Sequence, residues 1–365
     1  MAIRQPLVVG MGRVGSLIAL LLSELGMQVT GVDMQQGASI PAHVEFASAD
    51  VTDPRILARL CQGRDALIVC LPYPLILGAA QVAHTSGVHY FDLTEDMATT
   101  HAIRTLAASA DGVMIPQNGL APGFIGMVGA YLAQQFDPGT LRQLKLRVGA
   151  LPQHPTGQLG YAVNWSPEGL LRSYTAACDV LVHGKRHQVP ALANPEILRI
   201  GGVTYEAFTT SGGLGTMAET YEGTIETLDY KSIRYPGHLA GMQLLLEELR
   251  FKDAPGELVQ RMRVALPPDE ADWVLVHASA QGNKHGTLQT QALVMDYHPI
   301  EMGHCTRTAI AWTTAASLVA VVELVSQGTL PQRGFVKQED IPLRAFLTTA
   351  TGRLFAEHHP ALQAL

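Results

Sequence analysis

"PLVVGMGRVGSLIALLLSELG" occupies residues 6–26. A short apolar run, then three glycines in "GMGRVG" (10–15), then a long apolar stretch read as strand, turn and helix. In that setting Gly10 permits the tight turn, Gly12 lets a pyrophosphate approach the backbone, and Gly15 allows close helix–strand packing. Arg13 and Val14 lead into the helix, whose N-terminal N–H groups and partial positive charge suit phosphate. Working outward, "QVTGVD" (28–33) reads as a second strand ending in Asp33, 23 positions after Gly10. That spacing fits a carboxylate that accepts hydrogen bonds from a ribose 2′-OH. Asp33 would repel a 2′-phosphate, and Met34, Gln35 and Gln36 supply no arginine to offset it. NAD is therefore expected over NADP.

The alternation continues. Strands are expected at 6–10, 27–33, 43–47, 65–71, 88–92 and 112–116, with helices between most of them. "TDPRILARL" (52–60) shows a helix start, with Thr52 or Asp53 as cap and Pro54 in the first turn. Wholly apolar strands such as "ALIVCL" (66–71) suit a parallel sheet covered on both faces. The fold class is α/β, a Rossmann doubly wound sheet. Past residue 120 the pattern becomes that of a second α+β domain with an antiparallel or mixed sheet. "LRQLKLRVGAL" (141–151) reads as a half-wet strand. "WVLVHASA" (273–280) and "TLQTQALVM" (287–295) read as a hairpin around "QGNKHG", and "LVHGKRHQV" as another about Gly184. The expected division is 1–121 with 302–365 for the dinucleotide and 122–301 for the second domain.

Composition narrows the function. With 25 Lys+Arg against 32 Asp+Glu and a net charge of −7, no nucleic-acid footprint is expected. Cys61, Cys70, Cys178 and Cys305 lie far apart and read as reduced thiols of a cytoplasmic protein. No signal peptide is read at the start. "AIAWTTAASLVAVVELV" (309–325) is the one rival for a membrane span, and a buried helix suits its length and polar residues better. Neither His183 with His187 nor His84 with His89 falls in a metal-ligand pattern, so no metal is expected.

Beyond the strand ends lie the candidate site residues. "ADVTD" (49–53) places Asp50 and Val51 beside the adenine, and "CLPYP" (70–74) places Leu71 and Pro72 near the nicotinamide. "YFDLTED" (90–96) gathers Asp92, Glu95 and Asp96, whose mutual repulsion would raise one pKa towards use as a proton acceptor. The plain alternative is that Thr94, Glu95 and Asp96 cap the next helix.

Several segments together resemble the saccharopine dehydrogenase-like reductases and, within them, the lysine 6-dehydrogenases. They are "GMGRVG", "CLPYPL", "YFDLTED", "NGLAPGF", "RVGALPQHPTGQLGYAVNWSPEGLL", "YEAFTTSGGLGTMAET" and "SIRYPGHLAGM". The resemblance implies a Rossmann domain, a second domain carrying substrate and homodimer contacts, and redox chemistry at a carbon bearing an amino nitrogen. By position it implies Tyr73, Asp92 and Asp96 near the nicotinamide and Asn118 with Gly119 beneath the substrate. Asn164, Trp165 and Ser166 would form a pocket wall, with Arg234 and His238 in "RYPGH". The expected reaction is NAD-dependent oxidative deamination at the ε-amino group of L-lysine. Asp96 or Asp92 would accept the proton, with Tyr73 and His238 as alternates, and Arg234 would grip the α-carboxylate. Glu219 would receive the α-amino group or cap a turn. A dicarboxylate such as saccharopine needs more than one cationic clamp, and only Arg172 offers a second. The rival readings are an imine reductase of saccharopine or carboxyspermidine type and a catalytically silent NAD-binding scaffold.

Overall fold

The computed structural model describes residues 2–35 and 40–365. Gln36, one of the three residues read after Asp33, lies outside the described residues. The chain divides into two compact units. One comprises Met1–Met127, Gly303–Cys305 and Ala311–Leu365, the other Val128–Met302 and Thr306–Ile310.

In chain order the first unit runs β1 (Pro6–Val9), α1 (Arg13–Glu24), β2 (Thr30–Asp33), β3 (Glu45–Ser48), α2 (Pro54–Leu60), β4 (Ala66–Val69), α3 (Tyr73–Ser86), β5 (His89–Asp92), α4 (Met97–Ala107) and β6 (Val113–Ile115). Then α5 (Phe124–Ala133) leads into β7 (Gln143–Pro152), α6 (Pro167–Thr175), β8 (Cys178–Val182), β9 (Lys185–Val189), β10 (Glu196–Ile200) and β11 (Val203–Thr209). These are followed by α7 (Met217–Thr220), β12 (Thr227–Arg234), α8 (His238–Gln243), α9 (Pro255–Ala265), β13 (Asp272–Lys284) and β14 (Thr287–Tyr297). After β15 (Ile300–Met302) and β16 (Cys305–Arg307), α10 (Ala309–Ser326) and β17 (Gly334–Phe335) return the chain to the first unit.

The first unit's sheet has the order β17-β6-β5-β4-β1-β2-β3, with every ladder parallel. Growth of the sheet reverses between β1 and β4, which puts the ligand crevice of such a sheet at their carboxyl ends. Both strands are buried along their whole length, in keeping with their unbroken apolar sequence. Each of the six expected strands is present, with ends shifted by at most three residues. At α2 the cap is Asp53, whose side chain accepts from the Arg55 N–H, with Pro54 in the first turn. Phe124 stacks on Phe355 with ring centroids 4.2 Å apart. This contact keeps the first turn of α5 with the first unit, so the division falls after Met127 rather than after residue 121.

The second unit's main sheet is ordered β10-β11-β12-β7-β13-β14, with β8 on β12 and β9 on β8. It is antiparallel except between β7 and β12, which run parallel. The long chain separating those two strands supplies the crossover that parallel pairing needs. At the β13–β14 hairpin Lys284 pairs with Thr287, so the turn is only His285-Gly286, both left-handed at φ 52° and 75°. Gly282, read as part of that turn, lies inside β13. A Cβ there would sit 3.1 Å from the Thr140 carbonyl oxygen, so glycine serves close approach instead. The apolar helix α10 is a core helix: Ala315–Val322 are buried throughout. Its single acid, Glu323, accepts hydrogen bonds from the Ala350 and Thr351 N–H groups and the Thr351 hydroxyl.

Candidate functional site

At the β1–α1 turn each glycine answers a different constraint. Gly10 is left-handed at φ 89°, and a Cβ on it would lie 2.5 Å from the Cys70 carbonyl oxygen. A Cβ on Gly15 would lie 1.9 Å from the Gly10 carbonyl oxygen. Both are packing requirements within the protein. Gly12 differs: a Cβ on it meets no protein atom within 4 Å, and its φ of −73° is open to any residue. No internal contact demands glycine there, whereas a phosphate lying against the turn does. The N-terminus of α1, from Arg13 and Val14 onward, has no side-chain cap and no acidic residue in its first turn, leaving its dipole to favour an anion.

The Asp33 carboxylate accepts the Met11 N–H at 2.8 Å and the Met34 N–H at 2.7 Å. These bonds hold it beside the glycine turn, and each oxygen keeps a lone pair for a hydroxyl donor. Asp50 accepts from the N–H and hydroxyl of Thr52, which lowers its pKa. Val51 is half-buried against the core of the same unit. Leu71 also packs on that core, Pro72 precedes α3, and Tyr73 opens α3 with its side chain 41% exposed. The residues at this edge fit a nicotinamide dinucleotide.

The three acids after β5 have distinct environments. Asp92 is fully buried; it accepts from the Tyr90 hydroxyl at 2.7 Å, the Thr94 N–H at 2.9 Å and the Gln117 N–H at 3.0 Å. Burial pushes its pKa up to about 6 despite those donors. Asp96 is the N-cap of α4, accepting from the Thr99 N–H and hydroxyl at 2.8 and 2.7 Å. Both bonds fall on Oδ2, so Asp96, one of the two nominated proton acceptors, also serves as the cap of α4. Glu95 is half-buried, and its carboxylate has no hydrogen bond or ion pair among the described residues. Burial alone pushes its pKa up to about 8. Below them the Asn118 N–H donates to the Asp92 carbonyl at 3.0 Å, and the buried Asn118 Oδ1 has no partner among the described residues.

In the second unit Arg234 ends β12, 4% exposed. Its Nε–H donates to the Tyr174 hydroxyl at 2.9 Å and its Nη1 to the Ile233 carbonyl at 2.7 Å. The guanidinium lies over the Tyr161 ring, 4.9 Å from the centroid. No carboxylate pairs with it among the described residues. His238 Nδ1 lies 2.9 Å from the Leu159 carbonyl oxygen and Nε2 lies 3.0 Å from the Tyr174 hydroxyl. Burial, then the Arg234 charge, holds its pKa down at about 3. His238 is thus a neutral core histidine with both nitrogens occupied, which corrects its nomination as an alternate proton acceptor.

The other wall residues are engaged locally. Trp165 Nε1–H donates to the Tyr161 hydroxyl at 2.9 Å and so backs the ring beneath Arg234. Asn164 exchanges hydrogen bonds with the backbone of Asp269, and Ser166 caps α6. Glu219 pairs with Arg186 at 3.2 Å. Arg172 is exposed. Tyr90 in the first unit holds Asp92, and Tyr161 with Tyr174 in the second holds Arg234; nothing in the sequence pattern gives any of them a role.

The glycine turn generates a clean test. Gly12→Val should leave the melting temperature nearly unchanged, because a Cβ there meets no atom of the described residues within 4 Å. It should weaken NADH binding by more than about tenfold, read by nicotinamide fluorescence, because the valine fills the space a pyrophosphate needs. Unaltered NADH affinity would place the phosphates elsewhere.

Comparison with known proteins agrees with this geometry. Residues 7–115 match the saccharopine dehydrogenase NADP binding domain, and residues 119–357 match the saccharopine dehydrogenase C-terminal domain. Among solved structures, the chain is similar to an apo saccharopine dehydrogenase (L-Glu forming) from Saccharomyces cerevisiae. The TM-score is 0.74 at 16% identity, covering 92% of this chain and 94% of that one. A C. glutamicum DAP dehydrogenase in complex with DAP gives a TM-score of 0.51 at 12% identity, with 98% and 100% covered. At such identities these structures speak for the fold alone. The two family matches together span nearly the whole chain, which belongs to the saccharopine dehydrogenase family of NAD(P)-binding oxidoreductases.

Proposed function

We propose that the protein oxidises the ε-carbon of L-lysine with NAD, releasing ammonia and 2-aminoadipate 6-semialdehyde after water hydrolyses the imine. The observation that supports this reading most is Arg234, a buried cation without a protein anion. A guanidinium so placed suits one substrate carboxylate, held by two N–H groups in a way that an ammonium would not reproduce. A substrate with several carboxylates would need further cations, and Arg172 is exposed. Asp33 favours an unphosphorylated adenosine ribose, the reason for naming NAD although the matched family domain is described as NADP binding. When bound, the nicotinamide accepts the hydride.

The chain itself must remove a proton from the ε-ammonium, since nitrogen must offer a lone pair before hydride can leave. Glu95 suits that role, because its lone pairs are uncommitted to any donor and burial raises its affinity for a proton. Asp92, locked by three donors, holds the loop that carries Glu95. The chain also pairs with a second copy through one face of the second unit's sheet. Leu151, Tyr205, Ala207, Ile233 and Leu275 are already shielded within one chain, so the contact falls on the partly buried residues packed against them, Leu198, Ile200, Tyr235 and Trp273.

A panel of lysine, ornithine, saccharopine and diamines with NAD or NADP, read at 340 nm with products identified by mass, should give lysine-dependent NADH. In the same assay Arg234→Lys should raise the KM for lysine more than about tenfold with little change in NAD affinity; unchanged kinetics would remove Arg234 from the site. Because Glu95 must be ionised to accept a proton, and its pKa lies near 8, kcat/KM should rise with pH through about 8. Glu95→Gln should lower kcat by about a hundredfold and leave only the limb of free lysine amine near about 10. Persistence of the lower limb in that variant would exclude Glu95. Light scattering should give twice the chain mass, and Leu198→Glu should halve it; a monomeric wild type would rule out the sheet-face pairing.

A further inference from the structure

We infer that Tyr174 is a positioning residue that turns Arg234 into an end-on fork for a single carboxylate. The inference rests on the reading of Arg234 as the carboxylate site. It follows from counting protons along one chain of hydrogen bonds.

The Leu159 carbonyl can only accept, so His238 Nδ1 carries the hydrogen and donates to it across 2.9 Å. A histidine whose pKa is held near 3 is neutral, and its Nε2 is then a lone-pair acceptor. The Tyr174 hydroxyl, 3.0 Å away, must donate its only proton to Nε2. Its oxygen is left to accept, and it does so from Arg234 Nε–H at 2.9 Å. Direction is fixed along the whole chain by one backbone carbonyl.

The consequence falls on the guanidinium. Of its five N–H groups, Nε–H is engaged by Tyr174 and one on Nη1 by Ile233. One N–H on Nη1 and two on Nη2 remain, and the pair formed by Nη1 and Nη2 is the end of the plane away from Nε. Two parallel hydrogen bonds to a carboxylate therefore run from Nη1 and Nη2, not from Nε and Nη2. The Tyr161 ring under the guanidinium, itself fixed by Trp165, holds the plane from below. Tyr174 is buried at 3%, and it packs edge-on against Phe208 and His238. Its ring thus has a packing role separable from its hydroxyl.

The test removes the hydroxyl and keeps the ring. Tyr174→Phe and the wild type, both loaded with NADH, are titrated calorimetrically with norleucine, which has lysine's carboxylate but no ε-amine. The variant should bind norleucine about tenfold or more weakly, the scale of a hydrogen bond to a charged group. NADH affinity should match the wild type, while the melting temperature should fall by about a few degrees, because two buried groups lose their shared partner. In turnover, the KM for lysine should rise with kcat within about twofold, while cadaverine, which lacks a carboxylate, should show unchanged kcat/KM. The assignment is overturned if norleucine binding is unaffected, if it falls together with NADH affinity, or if norleucine does not bind the wild type. Failure of lysine turnover in the wild type would instead reject lysine as substrate, a separate result, because norleucine binding needs no oxidation at the ε-carbon.

Discussion

An uncompensated positive charge inside a protein is strongly unfavourable, and the second unit contains one. Arg234 is buried against two tyrosine rings with only neutral oxygens as partners. Taking a cation out of water costs several kcal/mol even after relaxation, and a protein anion is the usual remedy. Elsewhere in the same unit that remedy is applied in full. Arg147 and Lys231 are as deeply buried, and Glu196 and Asp229 sit against both of them. Two cations meet two anions there, and the group is neutral. The contrast between these sites, both on one sheet, makes the bare guanidinium a feature to be explained by an anion from outside the chain.

The fold was largely legible in the sequence because its signals are local. An apolar run too uniform for a half-wet strand, a glycine turn and an apolar helix recur along the first unit, and those signals depend on residues within a few positions of one another. The hairpin at His285-Gly286 was visible as well, although its turn is narrower than the glycines suggested. What sequence did not show was the parallel ladder between β7 and β12. Pairing across a crossover of that length is chosen by which faces need burial, and no local residue records it.

The candidate site was less legible, for a related reason. "TED" offers three residues able to cap a helix, and the sequence does not say which carboxylate finds the N–H groups of α4. Asp96 takes them, so a nominated proton acceptor also serves as a cap and Glu95 is left uncommitted. His238 lies in a motif that invites a catalytic role, yet the Leu159 carbonyl and the Tyr174 hydroxyl come from positions 79 and 64 residues away and fix it as neutral. Tyr174 itself sits in "LLRSYT", an ordinary amphipathic helix turn. Its importance arises only because α6 brings its hydroxyl within 2.9 Å of Arg234.

Three acids within five residues would repel one another if all were ionised, and the structure resolves that conflict by unequal solvation. Asp96 accepts from two donors of Thr99 at the start of α4. Asp92 has three donors but is fully buried, and ends near 6. Glu95 has neither donors nor full solvation, and ends near 8. A graded set of this kind separates the duties of one loop. Asp96 anchors the helix, Asp92 with its buried donors braces the strand end, and Glu95 with none can exchange a proton near neutral pH. Adding a donor to Glu95 would lower its pKa and blunt it as a base, so its lack of partners is what the proposed chemistry requires.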